Sequence, residues 1–521
     1  MAEKEESSSI AGLVLVGALL GFAVLMFLAN FSGQMAKPTV DKPLRNGENV
    51  PAGKAKVAKG KAKGKAKAKA PAPLVDIADL EVLAPLDDQP PAPEGAPNVV
   101  FVVLTAARRD QLTPYGAQPG VTPFMQRLAD RGVLFDDVIS ESPYSRASGA
   151  AVFTGRHSWL LDMVEPSPRV SQKVLPDEVD TLPELLQRAG WHTLGITGNF
   201  NMNTSSGIPQ GFDRYLNAQA NGFAPGRRAE APLFKKIAGE WLAERPEDRP
   251  FFLYLGVVDL HAPIRRIETE VENFDPNKPN AEYRATMNRI DGLLEELYGK
   301  LKADGIEGNT VFVVTADHGE GLKMPEHHGM MHGRLLYDSS VVVPWLVSGP
   351  GVAEGHTVRG ITAQVDVAPT LLDYLGVELP PNLDGRSWSA QLRGEGDTTD
   401  RQRAYAATWH FGANRASVWT TQRQCQLDFG SIGFEDDFVD ACYDRTVDPT
   451  FTNVIVDRKL TDELDAWHND ISKLITSDVP RPGAEDQDKG KAKGKAKVDG
   501  EPKGKAKGKA KGKAKAKAGQ P

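Results

Sequence analysis

The residues best suited to chemistry cluster in one short segment of the second half of the chain. The stretch 315–321 (TADHGEG) contains Asp317 and His318. The fifteen residues that begin with His318 hold four of the ten histidines of the chain. Carboxylate oxygens and imidazole nitrogens bind divalent cations, and the glycines let the backbone turn so that both groups point at one ion. The pattern predicts a metal-binding corner; a chance cluster of structural histidines is the alternative.

Two upstream segments supply further polar groups. His261 lies in DLHAP directly after an apolar run and adds another imidazole. Ser145 lies in SPYSRASG, just before the small-residue run 150–155, which predicts a tightly packed helix start. A hydroxyl near a helix N-terminus lies in positive potential, which favours its alkoxide form and an anionic substrate. Ser145 is therefore a candidate nucleophile.

Short apolar, β-branched runs alternate with amphipathic stretches, and this pattern must position these groups. The predicted strands are 98–104, 193–197, 251–258, 310–315 and 341–348. The predicted helices are 181–189 with Thr181 as N-cap, 280–303 and 366–375. Such alternation indicates an α/β body with a largely parallel central sheet flanked by helices, and ligands bind where its strands end. From about Arg401 the chain changes to short segments and a helix near 462–475, typical of a small C-terminal α+β subdomain.

Six ordered segments between about Pro97 and Gly394 resemble the sulfatase family of the alkaline-phosphatase superfamily. They are PNVVFVVL, SPYSRASGAAVFTGRH, GNFNMNTSSGIPQGFDRY, DLHAP, VVTADHGEGL with its following EHHGMMHGRLLYD, and VDVAPTLLDYLGVELPPNLDGRSW. A further stretch, CYDRTVDPTFTNV, is similar to the C-terminal strand of the family. The resemblance implies an alkaline-phosphatase-like fold and a sulfuric ester hydrolase.

The resemblance also implies roles for individual residues. Ser145 takes the place of the nucleophile, and Asp317 and His318 take the places of ligands to a divalent metal, Ca²⁺ or Mg²⁺. His261 and His332 take the places of catalytic histidines that contact the oxyanion or the leaving group. The implied substrate is an anionic small molecule or a glycan ester, with sulfate as the default and phosphate as the variant.

Two departures from the family pattern affect this site. Thr105 and Ala106 stand where the opening strand of the family ends in a metal-binding aspartate, so at least one carboxylate ligand is missing. A hard cation held by one carboxylate and neutral groups should bind weakly. The C/S-x-P-x-R signature reads 145–149 (SRASG), without its proline and arginine, so conversion of Ser145 to formylglycine is not expected. Arg108 or Arg109 is a candidate to supply positive charge in place of the weakly held cation.

These matches and departures leave three hypotheses. The first is a hydrolase that uses a metal-assisted hydroxyl nucleophile on sulfate or phosphate esters. The second is a catalytically impaired pseudo-sulfatase that acts as a binding module. The third is a transferase that moves a phospho-group onto an envelope lipid or glycan, as in a bacterial envelope.

The two ends of the chain differ from the middle in composition. After an N-terminal tail (1–9), an uncharged run of twenty residues (10–29) could span a bilayer, and we predict a transmembrane helix over 10–31. The linker 32–96 and the tail 481–521 are predicted to be disordered, and their tracts 53–70 and 489–518 hold 8 and 13 lysines. The net charge of −7 therefore hides an acidic body with polycationic flanks. The tracts are expected to act as spacers or to bind anionic polymers or lipid, without specific recognition of nucleic acid.

The body divides into a catalytic domain (97–395) and a C-terminal subdomain (396–480).

Two signals in the sequence give opposite predictions for the side of the membrane on which the body lies. Lysines and arginines after the hydrophobic run favour a cytoplasmic body, whereas the resemblance to an exported family favours an extracytoplasmic one, which we adopt. Cys425 and Cys442 are the only cysteines. They could form a disulfide in an oxidising compartment or remain two free cytosolic thiols.

Overall fold

The computed structural model describes residues 81–82, 90–164, 173–217, 231–261, 280–322, 332–431, 440–447 and 454–476. The predicted N-terminal tail, the transmembrane helix and the C-terminal lysine tract lie outside these residues, as does nearly all of the linker. None of the helices in the described ranges combines the length and apolar character that crossing a bilayer requires.

The centre of the molecule is a sheet of ten strands within the described ranges. Its strands are β1 Glu81–Val82, β2 Asn98–Leu104, β3 Gly132–Ile139, β4 His192–Thr197, β5 Arg214–Asn217, β6 Phe251–Val257, β7 Thr310–Ala316, β8 Val342–Val343, β9 Trp345–Ser348 and β10 His356–Ala363. Their order is β1-β5-β4-β6-β2-β7-β9-β3-β10, with β8 paired to β3. The pairs β5–β4, β4–β6, β6–β2, β2–β7 and β3–β10 are parallel, so the expected mixed α/β fold with a mostly parallel sheet is confirmed.

Strand β2 lies in the middle of the sheet and shows why these sequences form buried strands. All seven residues of NVVFVVL are buried, because β6 and β7 flank the strand and its apolar side chains belong to the main hydrophobic core. The β-branched side chains suit this position, since they fit a pleated surface that is packed on both sides.

The predicted strand 341–348 is the one that differs most from its prediction. A helical turn precedes β8, and Pro344 separates β8 from β9. Proline lacks the N–H that a continuous ladder needs, so the run is divided. Both pieces are antiparallel to their neighbours, in contrast to the parallel core of the sheet.

Helices lie between the strands and cover the sheet. They are α1 Pro123–Asp130, α2 Ser145–Thr154, α3 Leu182–Arg188, α4 Ala231–Glu244, α5 Ala281–Ala303, α6 Asp338–Val341, α7 Val367–Tyr374 and α8 Ser389–Leu392. Single 3₁₀ turns occur at Arg109–Gln111, Thr113–Tyr115, Phe200–Met202, Thr204–Ser206, Glu307–Asn309, Gln364–Asp366 and His410–Gly412. Thr181 caps α3 as expected, in a reciprocal capping box with Glu184.

A second, antiparallel sheet follows in the chain. It consists of β11 Ala404–Thr408, β12 Arg415–Trp419, β13 Arg423–Asp428, β14 Ala441–Asp444 and β15 Val454–Ile455, and α9 Arg458–Thr476 packs against it. Cys425 and Cys442 are directly opposite each other on β13 and β14 and are joined by a disulfide. The boundary at residues 395 and 396 stays a prediction.

A buried ion pair ties the two sheets together. Arg445, just after β14, makes two 2.7 Å hydrogen bonds to the carboxylate of Asp137 on β3. Its guanidinium also lies over the ring of Trp419, 4.9 Å from the centroid. Both side chains are largely shielded from water. Each charge therefore depends on the other to offset the free energy lost when it leaves water.

We predict that Asp137→Asn lowers the free energy of unfolding by about 3 kcal/mol, since it leaves a buried guanidinium with the weaker attraction of Asp338, 4.0 Å away, and of Asp136. The matched control is Asp136→Asn, whose side chain is 58 % exposed and which should change stability by less than about 0.5 kcal/mol. Urea denaturation followed by circular dichroism measures both. Equal effects of the two substitutions would contradict the structural importance of the pair.

Candidate active site

The predicted site residues converge at one edge of the central sheet. Thr105, Asn199, His261 and Asp317 each follow the carboxyl end of a parallel strand, β2, β4, β6 and β7 respectively. Ser145 is the first residue of α2, which begins after β3. Parallel strands bring their carboxyl ends to the same edge, so residues far apart in the sequence meet there.

Ser145 and His318 form the central contact of this site. The hydroxyl Oγ of Ser145 lies 3.1 Å from Nε2 of His318, and both side chains are buried. The other ring nitrogen of His318, Nδ1, lies 2.8 Å from the carbonyl oxygen of Gly319. A carbonyl only accepts, so the proton is assigned to Nδ1 and the lone pair to Nε2. The imidazole is therefore oriented to accept the proton of the serine.

The environment keeps this imidazole neutral. Burial lowers the pKa of His318 to about 3, and repulsion from the neighbouring His332 contributes. The Ser145 hydroxyl also hydrogen-bonds to the Asp317 carboxylate, so the serine proton has two possible acceptors.

His332 is held between two other imidazoles. Its ring stacks on His318 and meets His261 edge to face, with centroids 4.5 Å apart in each pair. Its Nδ1 lies 3.0 Å from a carboxylate oxygen of Glu320, a residue with no exposed surface. Burial opposes ionisation of Glu320, but the hydrogen bond and charge of His332 outweigh it and hold the pKa of Glu320 below its ordinary value. The structure thus brings the three predicted histidines together.

Asp317 is surrounded by hydrogen-bond donors. Its Oδ1 accepts from the backbone N–H of Ala106 at 3.0 Å and from its neighbour His318 at 2.7 Å. Its Oδ2 lies 3.5 Å from the amide nitrogen of Asn199. Burial raises the pKa of Asp317, and these hydrogen bonds oppose the shift.

The backbone at Ala106 is unusual and serves this contact. Ala106 has a φ of +62°, a left-handed conformation that costs a non-glycine residue about 1 kcal/mol or more. The conformation aims the Ala106 N–H at Asp317, while its carbonyl accepts a 2.7 Å hydrogen bond from the Tyr283 hydroxyl. Both polar groups of this fully buried residue are therefore used.

The amide of Asn199 is fixed in one orientation. Its oxygen accepts a hydrogen bond from the backbone N–H of Asn201 at 3.0 Å. Its nitrogen consequently faces Thr105 Oγ1, at 3.2 Å, and Asp317. The amide therefore presents donors to the carboxylate.

The donor set does not fit the Ca²⁺ or Mg²⁺ ion that the resemblance implies. Ca²⁺ takes about six to eight oxygen ligands, several of them carboxylate oxygens. The Asp317 carboxylate accepts a hydrogen bond from the N–H of Ala106, and the N–H groups of His318 and Asn199 also point at it. Among the described residues, no group of three or more histidine, cysteine, aspartate or glutamate side chains is arranged to hold a metal ion.

The guanidinium groups of the two candidate arginines, Arg108 and Arg109, are engaged by other groups. Arg108 turns its guanidinium to the carboxylate of Asp110 and to the backbone carbonyls of Glu320 and Gly321. Arg109 bonds the carbonyl of Asp136 and lies over the ring of Tyr115.

The nucleophile helix α2 has no room for the arginine of the family signature. Gly149 stands at that position, and a Cβ there would lie 2.5 Å from Sδ of Met202. Met202 is buried at 4 % exposure, so its thioether fills the volume beside the helix. The absent arginine is thus matched by a local repacking.

We predict that Gly149→Arg destabilises the protein by about 3 kcal/mol, because it forces a large charged side chain into this filled volume. Met202→Ala alone should also destabilise, by about 2 kcal/mol or more, through the cavity that it leaves. Thermal or urea unfolding of both single variants and of the double variant measures their coupling. The double variant should cost at least about 1 kcal/mol less than the sum; strict additivity would contradict the packing argument.

Several residues of the site were not predicted from the sequence. His410, beyond β11 in the second sheet, stacks on Tyr144 with ring centroids 3.8 Å apart. Burial lowers the pKa of His410 to about 4, and the charges of His332 and His318 add to the shift. The side-chain amide of Gln364 donates hydrogen bonds to the backbone carbonyls of Ala316 and Asp317, at 2.8 and 2.7 Å, and so holds the end of β7 in place. Of the missed groups, Asn199 alone carried a signal, since it follows a predicted strand end; His327 and His328 lie outside the described residues.

Comparison with known families agrees with this geometry. A family model described as Sulfatase matches residues 97–377, and one described as N-sulphoglucosamine sulphohydrolase, C-terminal, matches residues 326–476. The chain therefore belongs to the sulfatase family, with an alkaline-phosphatase-like fold, and the family assigns it to the sulfuric ester hydrolases. Members of this family generally use a metal ion, Ca²⁺, and formylglycine.

Individual relatives support the same assignment. An N-acetylglucosamine-6-O-sulfatase of Bacteroides thetaiotaomicron is 23% identical, over 69% of this chain and 82% of the relative. Arylsulfatase K of Xenopus laevis is 35% identical, over 57% of this chain and 66% of the relative. The solved structure of BT4656 in complex with its substrate D-glucosamine-2-N,6-O-disulfate matches the fold with a TM-score of 0.58 and 20% identity, over 74% of this chain and 99% of that one.

Proposed function

We propose that this protein hydrolyses sulfate esters with the Ser145 hydroxyl as its nucleophile. The contact between Ser145 Oγ and His318 Nε2 carries the proposal, because it pairs a nucleophile with a base in the correct tautomer. A sulfate ester would bring negative charge to the imidazole, and such charge raises a histidine pKa, opposing the effect of burial. The bound substrate would therefore make His318 a stronger base than it is in the free protein.

The proposed reaction has two steps. In the first, Ser145 Oγ bonds to sulfur, the bond from sulfur to the bridging ester oxygen breaks, and the serine proton moves to His318. The leaving oxygen takes a proton from His261 or His332. In the second, the oxygen of a water molecule bonds to sulfur and the bond from sulfur to Ser145 Oγ breaks. The water gives a proton to that histidine, and His318 returns its proton to the serine oxygen. The products are an alcohol, inorganic sulfate and the unchanged enzyme.

The proposed substrate is a sulfated sugar within a small molecule or a glycan. Support comes from the names of relatives, an N-acetylglucosamine-6-O-sulfatase and a protein solved with a disulfated glucosamine. The imidazoles of His261 and His332 lie beside His318 at this edge of the sheet, and their N–H groups suit an anionic group.

We predict that Ser145→Ala abolishes turnover of aryl sulfates and of 6-sulfated N-acetylglucosamine, and that His318→Gln lowers kcat by about 10²- to 10⁴-fold. The matched control is Ser148→Ala on the same helix, because the Ser148 hydroxyl donates to the carbonyl of Tyr144 and not to His318. This variant should retain turnover. Activity that survives Ser145→Ala would remove the serine from its proposed role.

A pseudo-sulfatase is the second candidate function. The missing carboxylates at Thr105 and Ala106 favour it, as does the replacement of the signature arginine by Gly149 packed on Met202. Under this hypothesis the wild-type protein binds sulfated glucosamine in calorimetry but turns over no sulfate or phosphate ester. The same substrate panel therefore separates the two candidates.

We further propose that residues 10–31 anchor the protein in a membrane by a single pass, with the body on the extracytoplasmic side. The disulfide between Cys425 and Cys442 supports this side, because disulfides persist in oxidising compartments. The lysine tracts would then lie beside an envelope whose anionic polymers or lipids they can attract without sequence specificity.

We predict that cells lysed in the presence of an alkylating agent yield protein with both cysteines protected, and that prior reduction exposes both. Mass spectrometry of the peptides that contain Cys425 and Cys442 measures this. In the control variant Cys425→Ser, Cys442 should react without reduction. Alkylation of both cysteines in the unreduced wild type would contradict the extracytoplasmic assignment.

A further inference from the structure

We infer that the active site works without a bound divalent cation, and that fixed N–H donors of Ala106, Asn199 and His318 balance the charge of Asp317 instead. This inference rests on the proposed function only for the identity of the site. It departs from the metal dependence that is general in the family.

The first argument is the direction of the donors. Oδ1 of Asp317 receives two backbone N–H groups, at 3.0 and 2.7 Å, and Oδ2 faces the Asn199 amide nitrogen at 3.5 Å. An N–H group presents the positive end of its dipole and has no lone pair for a cation. These N–H groups would therefore repel a cation. Neighbours of the carboxylate that do carry lone pairs include the Ser145 hydroxyl, which hydrogen-bonds to it, and Nε2 of His318, 3.6 Å from Oδ2.

The second argument is that these donors cannot turn away. Two of them are backbone amides, and that of Ala106 is fixed by a left-handed conformation whose carbonyl is tied to Tyr283. The Asn199 amide is fixed because its oxygen is already bonded to the N–H of Asn201. Reversing it to offer an oxygen would break that bond and place two acceptors against each other.

The third argument is that the described part of the segment after β7, residues 317–322, contains no second carboxylate that is free. Glu320 is the nearest other acid on this segment, and both of its oxygens are engaged, one by His332 at 3.0 Å and one by the N–H of Gly321 at 3.0 Å. Thr105 offers only a hydroxyl, which accepts from Asn199. Sites for Ca²⁺ in proteins usually have more carboxylate charge than the one group of Asp317.

The test uses the full-length protein after dialysis against EDTA. Titration calorimetry with CaCl₂ and with MgCl₂ should show no saturable binding up to about 1 mM, the weak end of protein calcium sites. The melting temperature should be the same with EDTA and with added Ca²⁺. Binding of one Ca²⁺ per wild-type chain with a Kd below about 10⁻⁴ M, lost in Asp317→Asn, would overturn the inference.

A pair of double variants tests the role of the missing charge. Thr105→Asp with Ala106→Asp should gain saturable Ca²⁺ binding and a melting temperature that rises with Ca²⁺. The matched control, Thr105→Asn with Ala106→Asn, has nearly the same shape without charge and should gain neither. Aspartate and asparagine both tolerate the left-handed backbone at position 106. A folded aspartate variant that binds no more Ca²⁺ than its control would overturn the argument from charge.

These measurements separate this inference from the proposed function, because they use no substrate. A protein that neither binds metal nor turns over any ester would refute the hydrolase and leave the metal-free site standing. Turnover that is abolished by EDTA and restored by Ca²⁺ would support the hydrolase and overturn the metal-free site.

Discussion

The carboxylate of Asp317 is buried at the edge of a parallel sheet, and its charge must be balanced there. An ionised carboxylate without partners is costly in such a place. The left-handed backbone of Ala106 and the fixed amide of Asn199 serve this end. Gln364 holds the end of the strand in place through the backbone carbonyls of Ala316 and Asp317. The nucleophile and its base then take their positions from the same carboxylate and its neighbour His318.

The framework of the site could be predicted from the sequence, because strong local patterns encode it. Continuous β-branched runs such as β2 have few alternatives to a buried strand, and parallel strands must bring their ends to one edge. Ser145 could be assigned to a helix start from the small residues that follow it. In the structure, the side chains of Ser145 and His318 are in contact, and the rings of His261 and His318 each contact that of His332.

The rest depended on tertiary contacts that leave little trace in a single sequence. The division of 341–348 could have been predicted from Pro344, because proline cannot continue a hydrogen-bonded ladder. The conformation of Ala106 and the packing of Met202 against Gly149 could not be predicted, because neither residue type is unusual at its position in the sequence. The contacts of the buried Arg108 and of Arg109 likewise depend on partners, such as Asp110 and Tyr115, that meet them only in the folded chain. The transmembrane helix and the lysine-rich tails lie outside the described residues, so they stay predictions.

The stacking of His410 on Tyr144 has a consequence for the order in which the molecule matures. Tyr144 precedes the nucleophile, whereas His410 belongs to a sheet made near the end of synthesis. His410 and Arg445 are therefore absent while the first part of the chain emerges, so the stacking on Tyr144 and the ion pair with Asp137 form only after the late sheet has been made. The final environment of Tyr144, which directly precedes Ser145, thus depends on the last strands of the chain.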